Sequence, residues 1–206
     1  ALCVREDLVL LRQVDDEPAV MCAAVVCFSF GQLHEKLGRC LSEIHAPVPG
    51  YAKSLSRPVD SIFTRLASER GFSRSNFELR WSGELLHPSA RGDESIKGRL
   101  GEPDGGALSN DGVGHGKGIE SLGPADMHLR VEYQTLRRLE RSGHILFTVR
   151  TYTDPLLDVA ASPLAAAALH NRIVALGEGM AEYKGISRLM RPRIEDFLAR
   201  AAEGPL

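Results

Sequence analysis

Hydrophobic and polar positions alternate most clearly between His128 and Tyr152. From His128 to Leu139, Leu129, Val131 and Tyr133 fall on one side of a two-residue repeat, and Arg130, Glu132 and Gln134 fall on the other. A period of two predicts a strand. Glu140-Arg141-Ser142-Gly143 is a polar break, and His144 to Tyr152 is a second β-type run. The whole segment predicts a hairpin. The first strand carries a row of charged and amide groups on one face. Such a face is either solvated or lines a polar cavity.

Similar reasoning extends to the rest of the chain. Val4 to Gln13, rich in Val and Leu, and Ala19 to Phe30, another apolar β-type run, flank a turn at 14–18, which predicts another hairpin. Leu33 to Leu41 is a short helical segment. Val59 to Arg70 predicts a helix with Val59, Ile62, Phe63 and Leu66 on one face. Asn76 to Leu86 reads as a strand through Phe77, Leu79 and Trp81, with Trp81 in the core. Residues 89–126 are rich in Gly, Asp, Ser and Pro and predict a long loop. Ser162-Pro163 opens a helix to about residue 182, with interruptions at Gly177 and Gly179. A last helix is expected from about Ile186 to Ala202, packing through Leu189, Ile194, Phe197 and Leu198. Hairpins followed by helices imply an antiparallel sheet with helices packed on it, an α+β fold in one domain over 1–206.

Composition narrows the function classes. The 206 residues suffice for one well-buried core. A net charge of −2 leaves no basic excess for phosphate contacts, so nucleic acid is a poor partner. No apolar run approaches the ~20 residues of a membrane helix, and the first residues lack the pattern of a secretory leader. Cys3, Cys22, Cys27 and Cys40 include no Cys-x-x-Cys pair, so buried free thiols in a reducing, cytoplasmic compartment are expected. His34-Glu35-Lys36-Leu37-Gly38 lacks the second histidine of a zinc-protease motif, and the glycines around His115 lack the strand and helix of a dinucleotide site.

Two groups of residues carry candidate chemistry. His45 lies in Ile44-His45-Ala46-Pro47-Val48-Pro49-Gly50-Tyr51, where two prolines stop a helix and stiffen the loop. A stiff loop suits a metal-binding imidazole. On the residues alone, a histidine that caps the preceding helix or bonds a backbone carbonyl has precedence. His87, before Pro88, is the second choice; His128 and His144 flank the hairpin, and His170 lies on a helix. The other group is Arg130, Glu132, Gln134 and Arg150, for which an exposed ladder of ion pairs is the plain alternative. Arg137 and Arg138 end the first strand, and Tyr152 and Asp154 follow Arg150 at strand spacing.

Several segments in this order resemble the haem-dependent oxidative N-demethylase family. They are Arg5 to Leu8, Lys36 to Gly38, Leu41 to Glu43 running into the His45–Tyr51 motif, Leu129 to Leu139, Phe147 to Asp154, and Tyr183-Lys184-Gly185. The resemblance runs from about residue 3 to about residue 198, and it implies a family segment ahead of Ala1. It implies a PAS-like haem domain that demethylates a small secondary amine such as dimethylamine with O2, releasing the primary amine and formaldehyde. His45 would ligate the iron, with Tyr51, Arg130, Arg137, Arg138 and Arg150 as haem contacts. Glu132, Gln134 and Tyr152 would face the amine. The chain has no nicotinamide or flavin fingerprint, so electrons from NAD(P)H are expected through separate flavin and iron–sulfur reductase components. The alternatives are a PAS-like haem or small-ligand sensing module without turnover, and a related scaffold that binds no haem.

Overall fold

The computed structural model describes residues 4–15, 17–26, 33–83, 85 and 122–204. Most of the loop expected at 89–126 lies outside these residues, as do Cys3, Cys27, His87 and His115. Five strands form one open antiparallel sheet: β1 (Glu6–Arg12), β2 (Val20–Val25), β3 (Phe72–Arg80), β4 (His128–Arg138) and β5 (Ile145–Pro155). Their spatial order is β2-β1-β5-β4-β3. Between β2 and β3 lie two helices, α1 (Leu41–Ile44) and α2 (Ser56–Arg65), with a π-type turn at Tyr51–Leu55 leading into α2. After β5 come α3 (Leu156–Ala160), α4 (Pro163–Val174), α5 (Glu178–Tyr183) and α6 (Arg191–Glu203). The fold is α+β, a sheet with helices packed on it, in keeping with the expectation.

The hairpin read from the alternation is β4–β5, two eleven-residue strands in unbroken register from His128↔Pro155 to Arg138↔Ile145. The pleat sorts its side chains, and those of β3 and β1, onto two faces. One face carries Phe77, Leu79 and Leu129 and packs on α3, α4 and α6 through Leu156, Ile173, Ile194 and Leu198. Trp81 is half-buried against this core. The other face carries Val9, Leu11, Ile145 and Phe147 and packs on Leu41, Phe63 and Leu66 from α1 and α2. The same second face holds the polar row of β4, so it changes from apolar to charged along its width.

Several boundaries differ from the sequence reading. β3 starts at Phe72, because its exposed first residues are held by the ladder to β4 rather than by apolar alternation, and it ends before Trp81. α2 runs from Ser56 to Arg65, carrying Pro58 in its first turn, where proline is tolerated. Leu33–Glu35 is only a 3-10 turn, and Cys40 bridges to Val20. α4 stops at Val174, and α5 begins after Gly177. α6 starts at Arg191, set by Pro192 in its first turn, so Leu189 lies outside it and is 84% exposed. Ile194, Phe197 and Leu198 are buried as expected. Cys22 is exposed and Cys40 half-buried. Cys22 alternates with the buried Met21 on β2, the outermost strand, and so points away from the core.

β3 is the other outermost strand, and the chain covers its free edge. Leu79 N–H donates to the Lys184 carbonyl at 2.8 Å. Gly185 follows with φ at +77°, so close that a Cβ would collide with the Leu79 carbonyl oxygen. Gly185→Ala should therefore destabilise the protein by more than the about 1–3 kcal/mol of a left-handed non-glycine residue. A lowered urea midpoint, with a much smaller change for Gly177→Ala at the N-cap of α5, is the expected result.

Candidate functional site

The loop around His45 is built from local hydrogen bonds. α1 ends at His45, whose backbone N–H donates to the Leu41 carbonyl at 2.9 Å. The ring repeats that contact, with Nδ1 2.8 Å from the same oxygen. A carbonyl only accepts, so Nδ1 carries the proton and Nε2 keeps its lone pair. Val48 N–H returns to the His45 carbonyl, and Gly50, with φ +73°, turns the chain into Tyr51. The Tyr51 ring then stacks on His45, centroids 4.9 Å apart and planes 9° off parallel. Burial pushes the His45 pKa down, against the bond to Leu41, and the nearby cations Arg74 and Lys36 lower it further. The imidazole is thus neutral, fixed in rotation and uncommitted at Nε2 among the described residues. The helix cap and the metal-ligand role are compatible, because they use different nitrogens.

Beside this loop, Ile62, Phe72, Ser73, Arg74, Gln134 and Leu136 line a cleft of about 130 Å³ where α2 meets β3 and β4. Arg74 links the cleft to His45 electrostatically, and its register partner on β4 is Gln134. Gln134 in turn donates from Nε2 to Glu132 Oε2 at 3.0 Å. Gln134 therefore joins the wall of the cleft to the polar row.

That row is buried. Arg130 is 1% exposed, with Nε 3.2 Å from Glu78 Oε1 and 3.8 Å from Glu132 Oε1. Its other nitrogens reach the Leu85 carbonyl at 2.9 Å and the Thr151 hydroxyl at 3.3 Å. Arg80 Nη2 binds the second oxygen of Glu78 at 2.7 Å. Burial and the neighbouring Glu78 raise the Glu132 pKa, against Arg130 and the amides of Gln134 and Asn76. Two carboxylates around one guanidinium leave Glu132 with an enhanced hold on a proton.

The other anticipated residues are placed differently. Tyr152, Arg150 and Asp154 share a face with one another, opposite to that of Glu132 and Gln134. Tyr152 is 46% exposed and lies under the Arg150 guanidinium, which pairs with Glu6 at 3.2 Å. Glu132 pairs with Thr151, so the next residue of β5 necessarily points to the opposite side. Arg137 is exposed on that same opposite side. Arg138 lies on the Glu132 face but spends its guanidinium on Leu66, Phe63 and Gly143 carbonyls at 2.7, 2.8 and 2.9 Å and on Gln13 Oε1 at 3.1 Å. It ties α2 to the hairpin turn. Arg74, Asn76, Glu78 and Lys184 complete the polar site and were missed as candidates. The signal was available, since Arg74, Asn76, Glu78 and Arg80 alternate with Phe77, Leu79 and Trp81 as the β4 residues do.

A haem iron suits the donor that His45 offers, a neutral imidazole whose far nitrogen is held by a carbonyl. The only described arginine acting on that ring is Arg74, whose guanidinium makes no ion pair among the described residues and could take a propionate. The cleft is smaller than the ~300 Å³ at the low end of small-molecule sites, so loading a macrocycle requires it to widen. Among the described residues no group of three or more His, Cys, Asp or Glu could hold a metal ion, and no helix is long and apolar enough to cross a membrane.

Two stability effects follow. Arg138→Lys should cost about 2 kcal/mol in urea unfolding, because one ammonium cannot span four separate acceptors. For Glu132 the folded pKa lies above the ordinary 4.5. Its contribution is therefore fully favourable below that value and is lost as pH rises through the folded pKa. Glu132→Gln should melt above wild type at neutral pH, with the difference closing below about pH 4.5.

A family model described as haem-dependent oxidative N-demethylase, alpha subunit-like, matches residues 1–193. The match takes in the His45 loop, the whole sheet and the Lys184–Gly185 edge contact. This chain belongs to the haem-dependent oxidative N-demethylase alpha subunit-like family.

Proposed function

We propose that this protein is a haem-dependent oxidative N-demethylase acting on a small secondary amine of the dimethylamine type. In that reaction dimethylamine, O2, two electrons and two protons give methylamine, formaldehyde and water. The observation that carries the reading is His45, with Nδ1 committed to Leu41 and Nε2 available, in a chain of this family. His45 would hold the haem iron through Nε2, and Arg74 would pair with a propionate. The haem, when bound, supplies the reductive activation of O2, with electrons from NAD(P)H delivered by separate flavin and iron–sulfur components. A redox partner of that kind docks on the protein from outside, and the expected compartment is the cytoplasm.

The remaining work falls to the polar row. A small amine arrives as its cation, and the lone pair of nitrogen must be freed before the N-methyl group is oxidised. An alkylammonium titrates near ~10.4 in water, so passing its proton to an ordinary carboxylate is uphill by about 8 kcal/mol. Burial reduces that gap from both sides, since it raises the carboxylate and lowers the ammonium. The Glu132 side chain is only 15% exposed, and its partial burial and the neighbouring Glu78 both raise its pKa. Glu132 would attract the cation and accept its proton at a carboxylate oxygen. Gln134 bonds Glu132 and lines the cleft, so its amide would orient the amine between the two. Tyr152, on the far face, is not assigned a part in this step.

Haemin titration followed by absorption spectroscopy is the direct check. Wild type should give a saturable one-to-one Soret band, and His45→Ala should lose it. Arg74→Ala should weaken binding about tenfold, roughly the worth of one charge-assisted contact. In the loaded protein with a reductant, dimethylamine-dependent O2 uptake should fall at least a hundredfold in Glu132→Gln, within the range of a lost general base. Haem binding without amine-dependent uptake would turn the assignment to a sensing module. No specific band would leave a family fold that binds no haem.

A further inference from the structure

Lys184 follows α5 and lies along the outer edge of β3, which it helps to cover. Its carbonyl holds Leu79 N–H, and its side chain runs back along the strand. Nζ sits 2.7 Å from both Asn76 Oδ1 and the Phe77 carbonyl oxygen, and 4.6 Å from the centre of the Phe77 ring. An ammonium has donors only. Asn76 must therefore turn its oxygen to Lys184, which leaves its amide N–H groups for Glu132, its partner across β3 and β4. Gln134 donates to Glu132 from the other side. The Glu132 carboxylate is thus clasped by two amides, and one of them is oriented by a cation that comes from outside the sheet.

We propose that Lys184 is a positioning residue for Glu132: through Asn76 it aims the carboxylate and favours its ionised form. The inference rests on the reading of Glu132 as the proton acceptor for the amine. The charged groups around Glu132 divide by element. Glu78 on β3, itself paired to Arg80, opposes ionisation of Glu132, and Arg130 on β4 supports it. Lys184 feels Glu78 and Glu132 as attractive and Arg74 and Arg172 as repulsive, while burial lowers its own pKa. The two acids offset part of the cost of burying the Lys184 cation, and it acts back on Glu132 through the oriented Asn76 dipole. The Lys184 segment joins the C-terminal helices to β3, so the helical layer has a direct hold on the site.

The test titrates Glu132 in haem-free protein by infrared spectroscopy, with its carboxyl band identified as the one lost in Glu132→Gln. Lys184→Met keeps the stem and the main-chain bond to Leu79 but removes the donors. Asn76→Leu removes the intermediary. Both should strengthen proton binding at Glu132 about threefold or more, half a unit of titration midpoint, and Lys184→Arg should restore it. If Lys184→Met does not fold, Lys184→Gln takes its place. An unchanged midpoint in the lysine variant and in Asn76→Leu would overturn the proposal. In loaded protein the acid limb of kcat/KM should move to higher pH by the same amount in the lysine variant, whereas a purely structural role would lower activity evenly at every pH. A shifted midpoint without any amine oxidation would refute the amine reading and leave the positioning relation standing. Activity with an unshifted midpoint would do the reverse.

Discussion

A guanidinium buried in the middle of a β-sheet is the constraint around which this molecule is arranged. Arg130 is almost fully shielded from water, and an unpaired charge in that position would cost several kcal/mol. It is balanced by Glu78 across the ladder and Glu132 along the strand. Those two acids then repel each other, which brings in Arg80 on one and the amides of Asn76 and Gln134 on the other. Each group answers an imbalance left by its neighbour. The result is a polar stripe spanning three strands, with one member, Glu132, holding its proton more tightly than a carboxylate in water. A solvated ladder of ion pairs would have produced no such effect, because screened surface pairs do little to one another.

The fold was legible where the hydrophobic period was uninterrupted. β4 and β5 follow from alternation alone, and the packing face of α6 follows from Ile194, Phe197 and Leu198. The ends of elements were not legible, because local chemistry competes with the period there. Phe72-Ser73-Arg74-Ser75 has no apolar alternation, yet it is β3, held by its ladder to β4. Tyr51–Leu55 winds as a π-type turn directly after two prolines that had suggested only a loop. Pro192 fixes the start of α6 and strands Leu189 outside it.

The site was half legible for a related reason. A sequence shows which residues share a face of one strand, and so Arg130, Glu132 and Gln134 could be grouped. It does not show the register between strands that are far apart in the chain. Glu78, Asn76 and Arg74 join the site only because β3 meets β4 with Asn76 opposite Glu132. Tyr152 leaves the site for the same reason, since pairing Glu132 with Thr151 sends Tyr152 to the other side. His45 was identifiable by its loop, but the division of labour between its nitrogens required the position of the Leu41 carbonyl.

The strand order has a bearing on how the chain is made. β1 lies between β2 and β5, and its contact with β5 brings Glu6 to Arg150, residues separated by 144 positions. During synthesis the first hairpin emerges with one side of β1 unpaired, and it waits until β5 has left the ribosome. Pairings of such long range are the slow ones, and an open strand edge invites association with other chains. Glu6, Asp7 and Arg12 place charges along that waiting strand. Charges along an edge oppose its pairing with a neighbouring chain, and Asp7 ends fully buried in the finished sheet. Asp7 thus acts twice, first at an unfinished edge and then as part of the interior, whereas Arg12 stays exposed.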